Sequence, residues 1–400
     1  MSQSDNVKPS LYSKHSLLRK FKMTNNAMSI STNLPKENKK KILLVINCLQ
    51  GGGAERVVLT LGQGFYELGY EVHVLRFKPR VEYDLNPNLI YHVLKFRLYK
   101  RIPGEQRRDK FFAHAVDRYI TKKIGQPDII LSNLDRSDSV FSYSRLPNIV
   151  YVIHNTLSLL YKFQQAEIGR QKKDNFTKIY SKNPCACVSN GVKKDFLENF
   201  GDITPMAAIH NPIDRDCIRK LGDAFVPEYQ NYIIHVGSFK EAKRHDVLLK
   251  AYAKTDQSLP LLLLGKGKLK NDIEQLAVEL NLENKVVFLG FHENPFPYIK
   301  HARFKVLTSD WEGFALVIAE SQVLGTPVIS TNCPSGPSEL LPQNNLMPMR
   351  DIDAIAAKLS LAMKNPEQFH SEFNEALLPI TIAKKYIEFA SDCESVGEKA

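Results

Sequence analysis

A chain of 400 residues exceeds what one hydrophobic core usually serves, so two domains of ordinary size are expected. Its six cysteines form no CxxC pair and no His/Cys cluster at metal-ligand spacing, which speaks against a disulfide framework or a zinc site and for a reducing compartment. The formal net charge of +11 asks for an anionic partner, while nothing approaches the run of about 18 apolar residues that spans a bilayer, so a cytoplasmic protein is expected.

Residues 1–40 are polar, rich in Ser, Asn and Lys and without periodicity, and read as a disordered tail. The apolar run 42–46 has the length and residue types of a buried parallel strand. Three glycines, Gly51, Gly52 and Gly53, and an amphipathic stretch over 54–68 follow it, so the order is strand, glycine turn, helix. Short strands are predicted at 72–75, 129–131 and 149–153, and less securely at 186–188 and 207–209. Between them lies a strongly basic segment that includes Lys95, Arg97, Lys100, Arg101, Arg107, Arg108 and Lys110, interleaved with Phe96, Leu98, Tyr99, Phe111 and Phe112. Basic and apolar side chains together suit a lipid headgroup layer or an anionic acceptor; a solvated basic helix face is the plainer reading.

After Pro212 and Pro227 the alternation restarts. Strands are predicted at 232–236, 261–264, 286–289, 304–307 and 328–330, with helices over 246–254, 269–280, 315–324 and 355–363. Repeated βα units imply parallel sheets with helices on both faces. Two such series give an α/β protein of two doubly wound domains with a boundary in residues 212–230. Ligands of such sheets bind at the carboxyl ends of the strands, so a shared ligand belongs in the cleft between the domains.

The candidate chemistry falls at those strand ends. Gly52 and Gly53 let backbone N–H groups approach an anion at a helix start, although the spacing is neither G-x-G-x-x-G nor a P-loop. Lys240, Lys243 and Arg244, beside Ser238, could neutralise a diphosphate. His154 ends a strand. Glu312 stands in a turn before a helix, with Gly313, Phe314, Ala315 and Leu316 aiming free N–H groups at an anion, and Glu320 lies about two helical turns further on. Asp351-Ile352-Asp353 matches the D-x-D pattern of metal-dependent transferases but reads as the acidic first turn of a helix, so no metal is predicted.

The element "EGFALVIAE", followed by "LGTPVIS" and "CPSGPSELL", together with "GGGAERVVLTLGQGF", "VIHN" and "HVGSFKEAKRHDVLLKAY", resembles the retaining GT-B glycosyltransferases of family GT4 over roughly residues 41–395. "NPFPYIKHA" and "CPSGPSELL" look most like bacterial transferases that build lipopolysaccharide, lipooligosaccharide or other surface glycans. The resemblance implies a GT-B fold: two Rossmann-like domains, residues 41–220 for the acceptor and 221–380 for the nucleotide sugar, with 381–400 crossing back to the first.

It also implies roles. Glu312 holds the donor sugar and Glu320 the ribose; His154 lies near the forming bond; Lys243 binds diphosphate; Gly52 and Gly53 approach the phosphates and acceptor. Where the family often has arginine, Ser238 stands, leaving Lys240 or Arg244 as candidates for that charge. A UDP-sugar is the favoured donor and a lipid-linked glycan the acceptor, met at the inner face of the cytoplasmic membrane, with no further cofactor. The competing readings are a non-hydrolysing UDP-sugar epimerase on a similar scaffold and an anionic-surface or nucleic-acid binding protein. The sequence offers no recognisable nucleic-acid module. It does not fix the sugar, the linkage, the acceptor or the oligomeric state.

Overall fold

In the computed structural model, which describes residues 39–95, 101–165 and 167–397, the apolar run 42–46 forms β1 (Lys41–Ile46), with Ile42 to Ile46 all fully buried. Each such side chain contributes about 1.5–3 kcal/mol on leaving water. The glycine turn follows, and the helix Gly53–Glu67 packs back on the sheet. The strands β2 (Glu71–Arg76), β3 (Ile90–Val93), β4 (Ile129–Asn133), β5 (Ile149–Ile153), β6 (Cys185–Cys187) and β7 (Met206–Ala208) complete a seven-stranded parallel sheet in the order β3-β2-β1-β4-β5-β6-β7. A second sheet has β8 (Ile233–Val236), β9 (Leu261–Leu264), β10 (Val286–Gly290), β11 (Phe304–Leu307), β12 (Val328–Thr331) and β13 (Leu346–Met347), ordered β10-β9-β8-β11-β12-β13. The fold is the two-domain α/β arrangement expected.

Several elements were not legible beforehand. β3 is a short, half-exposed edge strand with no apolar run to announce it. The helices Asp135–Phe141, Glu167–Tyr180, Asn190–Phe200 and Arg215–Gly222 fill segments that carried no assignment. The basic segment contains the helix Glu105–Lys123, whose Phe112, Ala113, Val116 and Ile120 are buried. Residues 1–38, assigned above to the tail, lie outside the described residues.

The last helix, Pro379–Gly397, packs on the first domain: Ile382, Ala383, Tyr386 and Ala390 enter its core. Gly64 makes this close approach possible, since a Cβ there would lie 2.3 Å from the Pro379 carbonyl oxygen.

Candidate active site

Strand order reverses between β1 and β4 in one sheet and between β8 and β11 in the other. At such switch points neighbouring loops leave in opposite directions and open a crevice. Gly51–Gly53 follow β1, Asn133 ends β4, Ser238 to Arg244 follow β8 and Glu312 follows β11, so each crevice is lined by the expected loops.

At the second crevice Lys243 Nζ donates to Glu312 Oε1 at 2.6 Å, and Ser309 Oγ donates to the same oxygen at 2.6 Å. The Glu312 side chain is 10% exposed and that of Lys243 19%, so this ion pair is largely withdrawn from water. The two loops are stitched together by Thr308 Oγ1, which reaches the carbonyls of Lys243 and Arg244 at 3.1 and 3.2 Å. A carboxylate with one oxygen already accepting twice is a poor nucleophile and a well-fixed acceptor.

The first domain meets this loop directly. Thr156 Oγ1 donates to the Glu312 carbonyl at 3.0 Å and Ser189 Oγ to the Gly313 carbonyl at 2.7 Å. A Cβ on Gly313 would fall 2.0 Å from the His154 carbonyl oxygen, so only glycine allows the two chains to pass. Glu339 adds a further tie: its carboxylate accepts from the Asn190 and Gly191 N–H groups, at 2.9 and 3.0 Å, and pairs with His210 at 2.8 Å. These donors hold its pKa down to about 2 despite burial.

His154 Nε2 lies 2.8 Å from Asn133 Oδ1. The Asn133 amide nitrogen donates to the carbonyls of Val45 and Leu131 at 3.1 and 3.0 Å, which fixes the amide with its oxygen toward the histidine. His154 therefore carries its proton on Nε2 and presents Nδ1 as an acceptor. Burial lowers its pKa to about 4, so the ring is neutral at physiological pH.

Glu320, 3% exposed, receives a hydrogen bond from Arg56 Nη1 at 2.7 Å across the cleft. The Arg56 guanidinium lies 5.7 Å from the Tyr83 ring and 5.2 Å from the Phe296 ring, a cation–π setting that holds it in place. Beneath the same helix, Leu316–Val323, Lys305 is fully buried and donates to the Val317 carbonyl at 3.0 Å.

Burial lowers the Lys305 pKa to about 7, well under the ordinary lysine value of 10.5. Between those values the unfolded chain holds a proton that the folded chain does not, so stability rises with pH across that window. Lys305→Met removes the penalty. The variant is expected to be the more stable by roughly 4 kcal/mol near pH 7, a gap that narrows as the pH approaches about 9.5. Urea titrations of both proteins at several pH values check this, and a gap independent of pH contradicts it.

Not every predicted residue converges. Arg244 is turned away: it makes a two-pronged contact with Asp246 at 2.9 and 2.8 Å and reaches Asp310 at 3.2 Å, while Arg350 donates to both oxygens of Asp310 at 3.0 and 2.8 Å. Its charge is spent on carboxylates of its own domain. Lys240 is exposed and Ser238 half-buried at the mouth of the crevice. Gly53 faces the other domain, with its Cβ position 3.2 Å from Leu316 Cδ1, and Gly52 caps its helix without a side chain. Phe314 and Ala315 are buried, Leu316 is half-buried, and Ala315 adopts φ 60° as the helix starts. Asp351 caps the helix Ile352–Lys364 by accepting from the Ala354 N–H at 2.9 Å, and Asp353 pairs with Lys254.

On the helix Glu105–Lys123, Arg107 and Lys110 are exposed beside Phe111, which is 58% exposed, and Arg108 is half-buried. Lys95 and Arg101 are exposed; Arg97 and Lys100 lie outside the described residues. No helix among the described residues is long and apolar enough to cross a membrane.

Arg56, Asn133, Lys305 and Ser309 were not singled out by the sequence. A lysine inside the apolar strand run Phe304-Lys305-Val306-Leu307 was the one visible signal.

Two family models cover most of the chain: the one described as "Glycosyltransferase Family 4" matches residues 51–216 and "Glycosyl transferases group 1" matches residues 221–376. The chain belongs to the GT4-type glycosyltransferases. This glycosyltransferase is 28% identical, over 78% of its length and 87% of the relative's, to the N-acetylgalactosamine-N,N'-diacetylbacillosaminyl-diphospho-undecaprenol 4-alpha-N-acetylgalactosaminyltransferase of Campylobacter jejuni. It is 31% identical to the lipopolysaccharide 1,6-galactosyltransferase of Escherichia coli over 27% of its length and 32% of that protein's. The Anabaena protein HepE, solved in complex with UDP-glucose, shares the GT-B fold at a TM-score of 0.65 and 18% identity, over 90% of this chain and 100% of that one.

Proposed function

We propose that this glycosyltransferase moves a hexose or N-acetylhexosamine from a UDP-sugar to a lipid-linked glycan acceptor, with retention and without a metal. The observation that carries the reading is the Lys243–Glu312 pair at 2.6 Å, set at a strand-order switch and faced across the cleft by His154. The donor class is supported by HepE, solved with UDP-glucose, and the acceptor class by relatives named for diphospho-undecaprenol and lipopolysaccharide substrates.

In the reaction the bond from the anomeric carbon to the diphosphate oxygen breaks and a bond to the acceptor oxygen forms. The electron pair leaves with the nucleoside diphosphate, whose growing charge Lys243 stabilises. The acceptor approaches the face vacated by the leaving group and loses its proton to the departing phosphate, which gives retention without a covalent intermediate. Glu312 holds sugar hydroxyls rather than attacking. His154 Nδ1, free to accept, takes a hydrogen bond from a sugar or acceptor hydroxyl, and Glu320, steadied by Arg56, takes the ribose hydroxyls.

Calorimetric titration with UDP, GDP, ADP and CMP, each with and without EDTA, tests the donor reading. UDP should bind tightest and EDTA should not weaken it. Equal affinity for all four contradicts a UDP donor, and loss of binding with EDTA contradicts metal independence.

The exposed Arg107, Lys110 and Phe111 support docking of the first domain on an anionic membrane face. Cosedimentation with vesicles containing anionic lipid should fall steeply as salt rises from low ionic strength, because each exposed cation contributes about 1 kcal/mol that salt screens. Binding indifferent to salt contradicts it.

A further inference from the structure

Lys305 lies inside the apolar strand β11 with none of its surface exposed, and among the described residues no carboxylate pairs with it. Its ammonium reaches the Val317 carbonyl at 3.0 Å, in the first turn of the helix Leu316–Val323, where Ser321 Oγ donates to the same oxygen at 2.8 Å. A buried ammonium with one shared acceptor and no counter-charge is poorly compensated. Sheet alternation sets its direction. Phe304 and Val306 enter the core of the second domain, while Leu307, on the face that Lys305 shares, packs with Ala315 and Ile318.

The charged groups around Lys305 are balanced without it. Glu320 faces it from that helix, Glu312 from the loop after β11, Lys243 from the loop after β8 and Arg56 from the first domain. Each carboxylate already has a cation: Arg56 lies 2.7 Å from Glu320 and Lys243 lies 2.6 Å from Glu312. Strand β8 adds His235, which burial keeps neutral, and β12 brings no titratable side chain. Neither ion pair leaves charge for Lys305, so burial prevails and its pKa lies near 7. A diphosphate arriving at Lys243 upsets this balance, because its negative charges are unmatched by the two pairs and are felt strongly in a crevice withdrawn from water.

We infer that Lys305 is a positioning residue of the donor site that takes up a proton as the donor's diphosphate binds, supplying a cation from beneath the helix Leu316–Val323. The inference rests on the proposed placement of the donor between Lys243 and Glu320. The proton comes from solvent. The ammonium it completes acts on the diphosphate through space and on Glu320 through their shared helix, without touching the donor. A ligand that brings a proton with it binds more weakly as the pH rises.

The test is calorimetric titration of the full chain with UDP at about pH 8 in HEPES and in Tris, whose different ionisation heats reveal the protons taken up. At that pH UDP is fully ionised, and His154, His235 and His245 stay neutral because burial holds their pKa values down. Wild type should take up a substantial fraction of one proton per UDP, and Lys305→Met none. From about pH 7 to 9 the wild-type affinity should fall by up to about tenfold per unit while that of Lys305→Met stays flat, leaving the variant about tenfold weaker at pH 7. Because Lys305→Met is expected to be the more stable protein, that weakening is not loss of fold. Uridine, which has no phosphate, should bind both proteins alike and without proton uptake, which separates a missing charge from a displaced helix. No uptake by wild type, equal uptake by Lys305→Met, or uridine weakened in the variant as much as UDP overturns the assignment and leaves the UDP donor standing. If UDP does not bind but ADP or GDP does, with an uptake that Lys305→Met abolishes, the assignment stands and the UDP donor falls. Binding of no nucleoside diphosphate removes both.

Discussion

Glu312→Gln is expected to lower sugar transfer by about 10²–10³-fold while the protein still folds. Glutamine keeps the volume and can still accept from Ser309, but it removes the charge that Lys243 faces at 2.6 Å and that the donor hydroxyls would meet. The effect should fall on turnover more than on thermal stability, because the side chain is shape-matched and its backbone ties to Thr156 and Ser189 are untouched. Turnover and a melting curve on the same preparation check this. Near-normal turnover would remove Glu312 from the reacting centre.

Lys243→Ala should cost about 2–4 kcal/mol in the transition state, roughly 30- to 1,000-fold in rate, since the leaving diphosphate loses its nearest placed cation. Arg244 cannot substitute, because Asp246 and Asp310 already hold it. The single variant also strands the Glu312 carboxylate in a site where it is 10% exposed, so part of the damage will be to stability. The double variant Lys243→Ala with Glu312→Gln separates the two effects: it should recover thermal stability relative to the single one without recovering turnover. Recovery of turnover would mean that Lys243 serves only as a counter-ion.

Much of this arrangement was legible in order along the chain. The run 42–46 read as a buried strand because five successive apolar side chains cannot face water on either side, and Gly51 to Gly53 marked the turn into the helix that follows. Gly313 stood out beside Glu312, and the structure supplies the reason in the His154 carbonyl that passes against it. What sequence could not show is pairing over distance. Arg56 and Glu320 are 264 positions apart, and nothing local to either marks the partnership. Arg244 looked available for a diphosphate although Asp246, its two-pronged partner, stands only two positions on; its second partner, Asp310, lies 66 positions away. β3 escaped notice because an edge strand whose residues are exposed to half-buried needs no apolar run. Asn133 was hidden for a different reason: its importance comes from two carbonyls, of Val45 and Leu131, that orient its amide only once β4 lies beside β1.

The most direct test of the account is a mass-spectrometric panel in which the purified protein meets UDP-, GDP-, ADP- and CMP-sugars, with and without EDTA and with and without a bacterial glycolipid extract. Consumption of one UDP-sugar that requires the extract, survives EDTA and disappears in Glu312→Gln is the predicted result. Conversion of a UDP-sugar without any acceptor, or inertness toward every donor in the presence of the extract, would contradict it.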